Sequence, residues 1–167
     1  MKFIKVISEE SNTPKISKGF TLDFNEDGFV KEINIVGLER IPSAYFRALD
    51  GSKKNVFSKE NIKVIIDETT KTIESMAFYS FNYLSELHIL GDVDEFQSQS
   101  LQGTGLSKLV MSNITKVPTI PDKYVIDITP IASGTGFIYV PDELVESFKV
   151  ANGWSDYSNQ IKGVSEL

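Results

Sequence analysis

The sequence predicts a mainly β member of the α/β repeat class: a short solenoid with an N-terminal β-hairpin cap and a C-terminal helical cap. Three observations carry this expectation. An apolar pattern recurs every 22 or 23 residues through the centre of the chain, the segments on either side break that period, and turn-forming residues separate the copies. With 167 residues and 41% hydrophobic content, the chain can bury roughly two-thirds of the surface it would expose unfolded. One domain over residues 1–167 is expected, divided into a cap with the first strands (1–35), repeats (36–140) and a helical cap (141–167).

At the front, residues 1–7 mix Lys2 and Lys5 into an apolar stretch that runs into Ser8, Glu9, Glu10 and Ser11. That stretch is too brief for a signal-peptide core, so no cleaved export signal is expected. Residues 20–24 and 29–35 flank Asn25-Glu26-Asp27-Gly28, a hairpin turn in which Gly supplies positive φ.

The repeats are clearest in the middle. Leu84-Ser85-Glu86-Leu87-His88-Ile89 has the form LxxLxI, and 22 residues later Leu106-Ser107-Lys108-Leu109-Val110-Met111 repeats it. Val64 and Ile66 precede Leu87 and Ile89 by 23 residues, which makes 61–67 an earlier copy. Ile73 maps onto Phe96, and Ala77-Phe78 onto Ser100-Leu101, with the same offset of 23. Further upstream, Ile33, Ile35, Ile41 and Tyr45-Phe46 sit 31 or 32 residues before their counterparts, which implies an insertion around 50–59. Downstream, residues 125–128 and 137–140 read as two more strands, for about five or six coils in all.

Each copy is a strand followed by a return segment, whose apolar side only its neighbours can cover. Period two within the strand turns Leu87 and Ile89 inward and Glu86 and His88 outward. Along the return side, residues 73–81 place Phe78 and Phe81 at helical spacing as core plugs. At the back, Pro141 and Asp142 start an amphipathic helix with Leu144, Val145 and Phe148 on one face, ended by Asn152-Gly153. Trp154, Tyr157 and Ile161 follow at i, i+3 and i+7, as a second helical turn laying its rings over the last coil. Trp154 reads as a packing anchor.

Composition narrows function. A net charge of -6 repels phosphate backbones and anionic membranes, so neither nucleic acid nor membrane insertion is expected. The chain has no Cys, which excludes disulfides, thiol nucleophiles and thiolate metal sites. His88 is the only His, so any Ser-His-Asp triad must use it, yet no nucleophile elbow lies near it. Asp23-x-Asn25-x-Asp27-Gly28 has the alternating oxygens of a calcium-loop start, but position twelve is Asn34 and strands flank it, which favours the hairpin. Asn113-Ile114-Thr115 forms a glycosylation sequon that has no use without export. Gly103-Thr104-Gly105 and Ser133-Gly134-Thr135-Gly136 lack the Lys of a phosphate loop and read as turns. Glu9-Glu10 and Lys53-Lys54 read as solvated surface. No cofactor and no metal are expected.

The element Ile-x-x-x-Ala-Phe followed by Leu-x-x-Leu-x-Ile, within residues 73–111, resembles the BspA-type leucine-rich repeats of bacterial surface proteins, protist proteins and bacteriophage proteins. The ending Ile138-Tyr139-Val140-Pro141-Asp142, the helix, Trp154-Ser155-Asp156-Tyr157 and Ile161 is similar to the tail closing many such proteins in Firmicutes and their phages. The resemblance implies a leucine-rich-repeat solenoid with a non-enzymatic recognition or structural role, in adhesion or virion assembly, and it carries over no catalytic residue. Unlike the secreted members, this sequence shows few repeats, no signal peptide and no wall-sorting element.

The expectation is therefore a protein-binding or structural module: a bacteriophage virion-associated tail, baseplate or capsid accessory protein, located in the virion or the host cytoplasm. An intracellular inhibitor that occludes a host enzyme or defence protein, and a bacterial adhesin-type module, are the alternatives. A hydrolase would need a nucleophile aligned with His88. The candidate binding surface is the outer strand face formed by Lys63, Ile65, Glu86, His88, Lys108 and Val110. Its mixture of charge and apolar area suits another protein better than a small molecule.

Overall fold

Alternating apolar residues dictate the strands, and their pairing shows how the chain is organised. A computed structural model describes residues 19–46 and 61–167. Expectations for residues 1–11, for the insertion at 50–59 and for Lys53-Lys54 lie outside the described residues. Strands β1 (Gly19–Phe24) and β2 (Val30–Val36) pair antiparallel, Leu22 opposite Ile33 and Asp23 opposite Glu32. The Asn25 side-chain oxygen closes the turn by accepting from the backbone N–H of Asp27 (3.1 Å) and Phe29 (2.9 Å). This is an Asx turn, and it engages an oxygen that a calcium loop would need.

Strands β4 (Ile62–Ile66), β6 (Leu84–Ile89) and β8 (Lys108–Val110) follow β2 in parallel, so Ile33, Val64, Leu87 and Leu109 stand in one line across the sheet. All four are fully buried. Strand β9 (Phe137–Val140) pairs with β8, and β10 (Ile161–Gly163) pairs with β9, both in parallel. Two-residue strands β3 (Arg40–Ile41), β5 (Thr72–Ile73) and β7 (Glu95–Phe96) form a separate parallel sheet. The core includes inward residues of both sheets and the aromatic rings of the connecting turns: Phe46 stacks on Phe78 at 4.7 Å and on Phe81 at 5.6 Å.

This architecture corrects the expected leucine-rich-repeat solenoid of BspA type, with its hairpin cap and helical cap. Among the described residues it is a compact α/β domain: one mixed seven-stranded sheet in the order β1-β2-β4-β6-β8-β9-β10, a three-stranded parallel sheet and few helices. The N-terminal hairpin is part of the large sheet, not a lid on a stack, because β2 continues directly into β4. The C-terminal segment likewise contributes a strand to that sheet.

Three local expectations change with it. Residues 73–81 form no helix, since Met76 (φ 60) and Ser80 (φ 57) are left-handed, a conformation that breaks a right-handed helix. Their backbone bonds run sideways instead, from the N–H of Met76, Phe78 and Ser80 to the carbonyls of Ser98, Ser100 and Gln102. Residues 125–128 are not a strand: a 3-10 turn over Lys123–Val125, capped by the Asp122 side chain, occupies the place. Ile161 does not continue a helix but opens β10. Helix α1 (Val145–Val150) does form, preceded by a 3-10 turn over Asp142–Leu144 and followed by Gly153 at φ 78.

Polar side chains clasp one connecting loop to the next. The Asp92 carboxylate accepts from the Thr115 N–H (2.6 Å) and hydroxyl (2.7 Å), which hold its pKa below the ordinary value. The sequon threonine is thus engaged in a loop clasp. Gly105 is required for another reason: a Cβ there would meet the Asn82 carbonyl oxygen at 2.3 Å. Trp154 is fully buried, its ring edge against Phe96 and Phe148 and its Nε1 donating to the Pro118 carbonyl at 2.7 Å.

Candidate functional site

Strand alternation puts every second side chain of the large sheet on its outer face. The register assembles these into two rows. The first reads Asp23, Glu32, Lys63, Glu86, Lys108 and Phe137, and the second Thr21, Asn34, Ile65, His88, Val110, Tyr139 and Lys162. All six sequence-predicted residues fall in these rows, Lys63 beside Glu86 beside Lys108, and Ile65 beside His88 beside Val110.

The charges lie across the strands and meet one another. Lys63 Nζ is 3.6 Å from Glu32, Lys108 Nζ is 3.4 Å from Glu86, and His88 Nε2 is 3.0 Å from the other Glu86 oxygen. Their side chains remain between 22% and 37% exposed, so they are partly laid down on the sheet. At the β9–β10 end, Lys162 Nζ stands 4.4 Å from the Phe137 ring centre, a cation–π contact. Burial opposes the Glu86 charge, but the hydrogen bond from His88 and the adjacent Lys108 outweigh it and hold its pKa below the ordinary value of 4.5. Its ion pair with Lys108 is therefore complete above that value and weakens as pH falls through the depressed pKa.

One placement differs from expectation. Val110 holds an outward register position yet is only 3% exposed, and Tyr139 beside it is 9% exposed. Apolar area on the face is accordingly smaller than the sequence suggests. Thr21, Asp23, Glu32, Asn34, Phe137, Tyr139 and Lys162 also belong to the face and lie outside the predicted set. Alternation in Phe137-Ile138-Tyr139-Val140 was the available signal for the two aromatics; no period marks Lys162, which sits in a strand of three residues.

Chemistry on this face is limited by what the groups already do. His88 is bonded to Glu86, while the hydroxyls of Ser85 and Ser107 donate to the carbonyls of Ile62 and Ser85, both at 3.2 Å. Among the described residues, no group of three or more His, Asp or Glu is placed to hold a metal ion. No helix among them is long and apolar enough to cross a membrane. A shallow groove of about 400 Å³ lies elsewhere, lined by Phe96, Ile120, Thr119 and Gln97 among others. Gln97 there accepts from the Ser75 N–H (3.2 Å) and donates to Glu95 (2.9 Å), so its amide is occupied.

No protein-family model matches the chain, and no curated protein matches it.

Proposed function

We propose that the protein is a non-catalytic interaction module whose protein partner docks on the outer face of its seven-stranded sheet. One observation carries the reading: on a chain of net charge -6, this face sets three acids (Asp23, Glu32, Glu86) against three bases (Lys63, Lys108, Lys162). A surface on which Lys63 is already paired with Glu32 and Lys108 with Glu86 has less rotamer freedom left to lose on docking than a bristle of free lysines. The setting we propose is virion-associated, and it rests on the sequence resemblance of residues 73–111 to phage proteins. The test is to purify particles and measure stoichiometry, for the native chain and for Lys108→Glu. A fixed copy number lost in Lys108→Glu is expected. A protein confined to infected cytoplasm contradicts the virion setting, and face variants that bind like the native chain contradict the use of the face.

A further inference from the structure

The order of charges along the first outer row has a symmetry of its own. From β2 to β8 it runs acid, base, acid, base, as Glu32, Lys63, Glu86 and Lys108. Placing a two-fold axis parallel to the strands, in the plane of contact and midway between β4 and β6, brings a second copy face to face. The four charges of the central strands then each meet an opposite charge: Lys63 faces Glu86 of the second copy, and Glu32 faces its Lys108. At the margins Asp23 reaches the Phe137 ring over which Lys162 stands. In the second row, Ile65 meets His88, Asn34 meets Val110, and Thr21 meets Tyr139.

No neighbouring register works as well. Moving the axis onto β4 sets Lys63 against Lys63 and Glu32 against Glu86; moving it onto β6 sets Glu86 against Glu86 and Lys63 against Lys108. Like charges directly opposed across a buried contact are costly, so the alternation penalises a slip by one strand in either direction. Isologous contacts of this kind are self-complementary by construction. Parallel strand directions about this axis also allow the aligned packing usual for two sheets. Two copies each carrying -6 repel one another over most of their surfaces. On the outer face that repulsion is locally cancelled.

We infer that the occupant of this face is a second copy of the chain, in a two-fold dimer centred between β4 and β6. The inference rests on the proposed use of the outer face. Seven strands spaced by about 4.8 Å make the face about 29 Å wide. With strands this short, that places the dimer at the small, weak and salt-sensitive end of protein interfaces.

Within one chain, Glu32 and Lys108 are separated by three strand spacings, about 14 Å, so a zero-length carbodiimide cross-link between them can form only between copies. Mixing isotopically heavy and light native protein at low salt and high concentration is expected to yield Glu32–Lys108 cross-links joining heavy to light peptides, lost at high salt. The Glu32–Lys63 link within a chain serves as the control. Sedimentation then reads the charge swap: Glu32→Lys and Lys108→Glu alone are each expected to be monomeric, and the double variant to recover the dimer. Recovery has no source within the monomer, where each change sets like charges beside each other. Native protein that is monomeric and gives only intrachain links, or a folded double variant no better than the singles, overturns the dimer. If the native chain is monomeric while Lys108→Glu still abolishes particle association, the dimer fails and the docking face stands.

Discussion

The two halves of the large sheet reach the same architecture by different routes. From β4 to β8 the chain advances by 22 or 23 residues per strand, the strands alternate inside and outside apart from a register shift at Ser85-Glu86, and the line Val64, Leu87, Leu109 is continuous. Beyond Val110 the spacing fails. Strand β9 starts at Phe137, and the last strand is reached only after α1 and the 3-10 turn over Trp154–Gln160. The comparison teaches that a periodic apolar pattern specifies neighbouring strands locally, whereas the extent of a sheet depends on pairings that leave little trace in sequence.

The largest expected effect comes from removing the irregular half. A chain ending at Val140 loses β10 from the edge of β9, and with it Phe148, Trp154 and Tyr157, all buried. Exposed apolar surface and a bare strand edge should then drive aggregation. The check is sedimentation and thermal unfolding against the full chain; a soluble monomer with an unchanged Tm breaks the comparison.

Within the regular half, Leu87→Ala and Leu109→Ala should each cost about 2 to 5 kcal/mol, because each opens a cavity in a line of fully buried side chains. Denaturant titration measures this. A loss under about 0.5 kcal/mol would place either side chain outside the core.

Smaller effects separate the halves by chemistry. In the irregular half, burial, with help from Asp127, Asp156 and Asp122, pushes the Tyr157 phenol up from 10.0 to about 12. Its hydroxyl donates to the Lys123 carbonyl. The unfolded chain ionises this group first, so its stabilisation is complete below pH 10 and is lost as pH rises toward about 12. Tyr157→Phe should cost about 1 kcal/mol at neutral pH and flatten that alkaline limb, as read by unfolding at several pH values. Ser100 gives the smallest change and the opposite sign. It holds the position that Ala77 holds 23 residues earlier, and its buried hydroxyl has no hydrogen-bond partner. Ser100→Ala should leave stability unchanged or raise it by up to about 1 kcal/mol, and a clear loss in a melting experiment would show that the hydroxyl is satisfied.

Legibility followed the same division. Strands β4, β6 and β8, the Asn25 hairpin, the burial of Phe78 and Phe81, and the outward register of Lys63, Ile65, Glu86, His88, Lys108 and Val110 could be read because period two and the repeat offset act over a few residues, whereas the burial of Val110 could not. The whole fold could not. A repeating offset is compatible with an open stack, and only the pairing of β10 with β9 and the hairpin's entry into the sheet show a mixed seven-stranded sheet. Residues 125–128 are β-branched enough to read as a strand, yet Ile128 takes φ 58 and the segment turns. Trp154, Tyr157 and Ile161 share helical spacing, but a non-helical Tyr157 and the bonds of the side chains to Pro118 and Lys123 override it. Lys162 joins the face through the pairing of β10 with β9, which no local signal announces.

Strand β10 sets the extent of the sheet: because it pairs with β9, the hairpin and the C-terminal segment share one continuous outer face with Lys162 at its end. Hydrogen exchange tests this directly. The bonded amides of Ile161–Gly163 are expected to exchange as slowly as those of β9, through global unfolding. Exchange at unprotected rates in Ile161–Gly163, with β6 still fully protected, would contradict it.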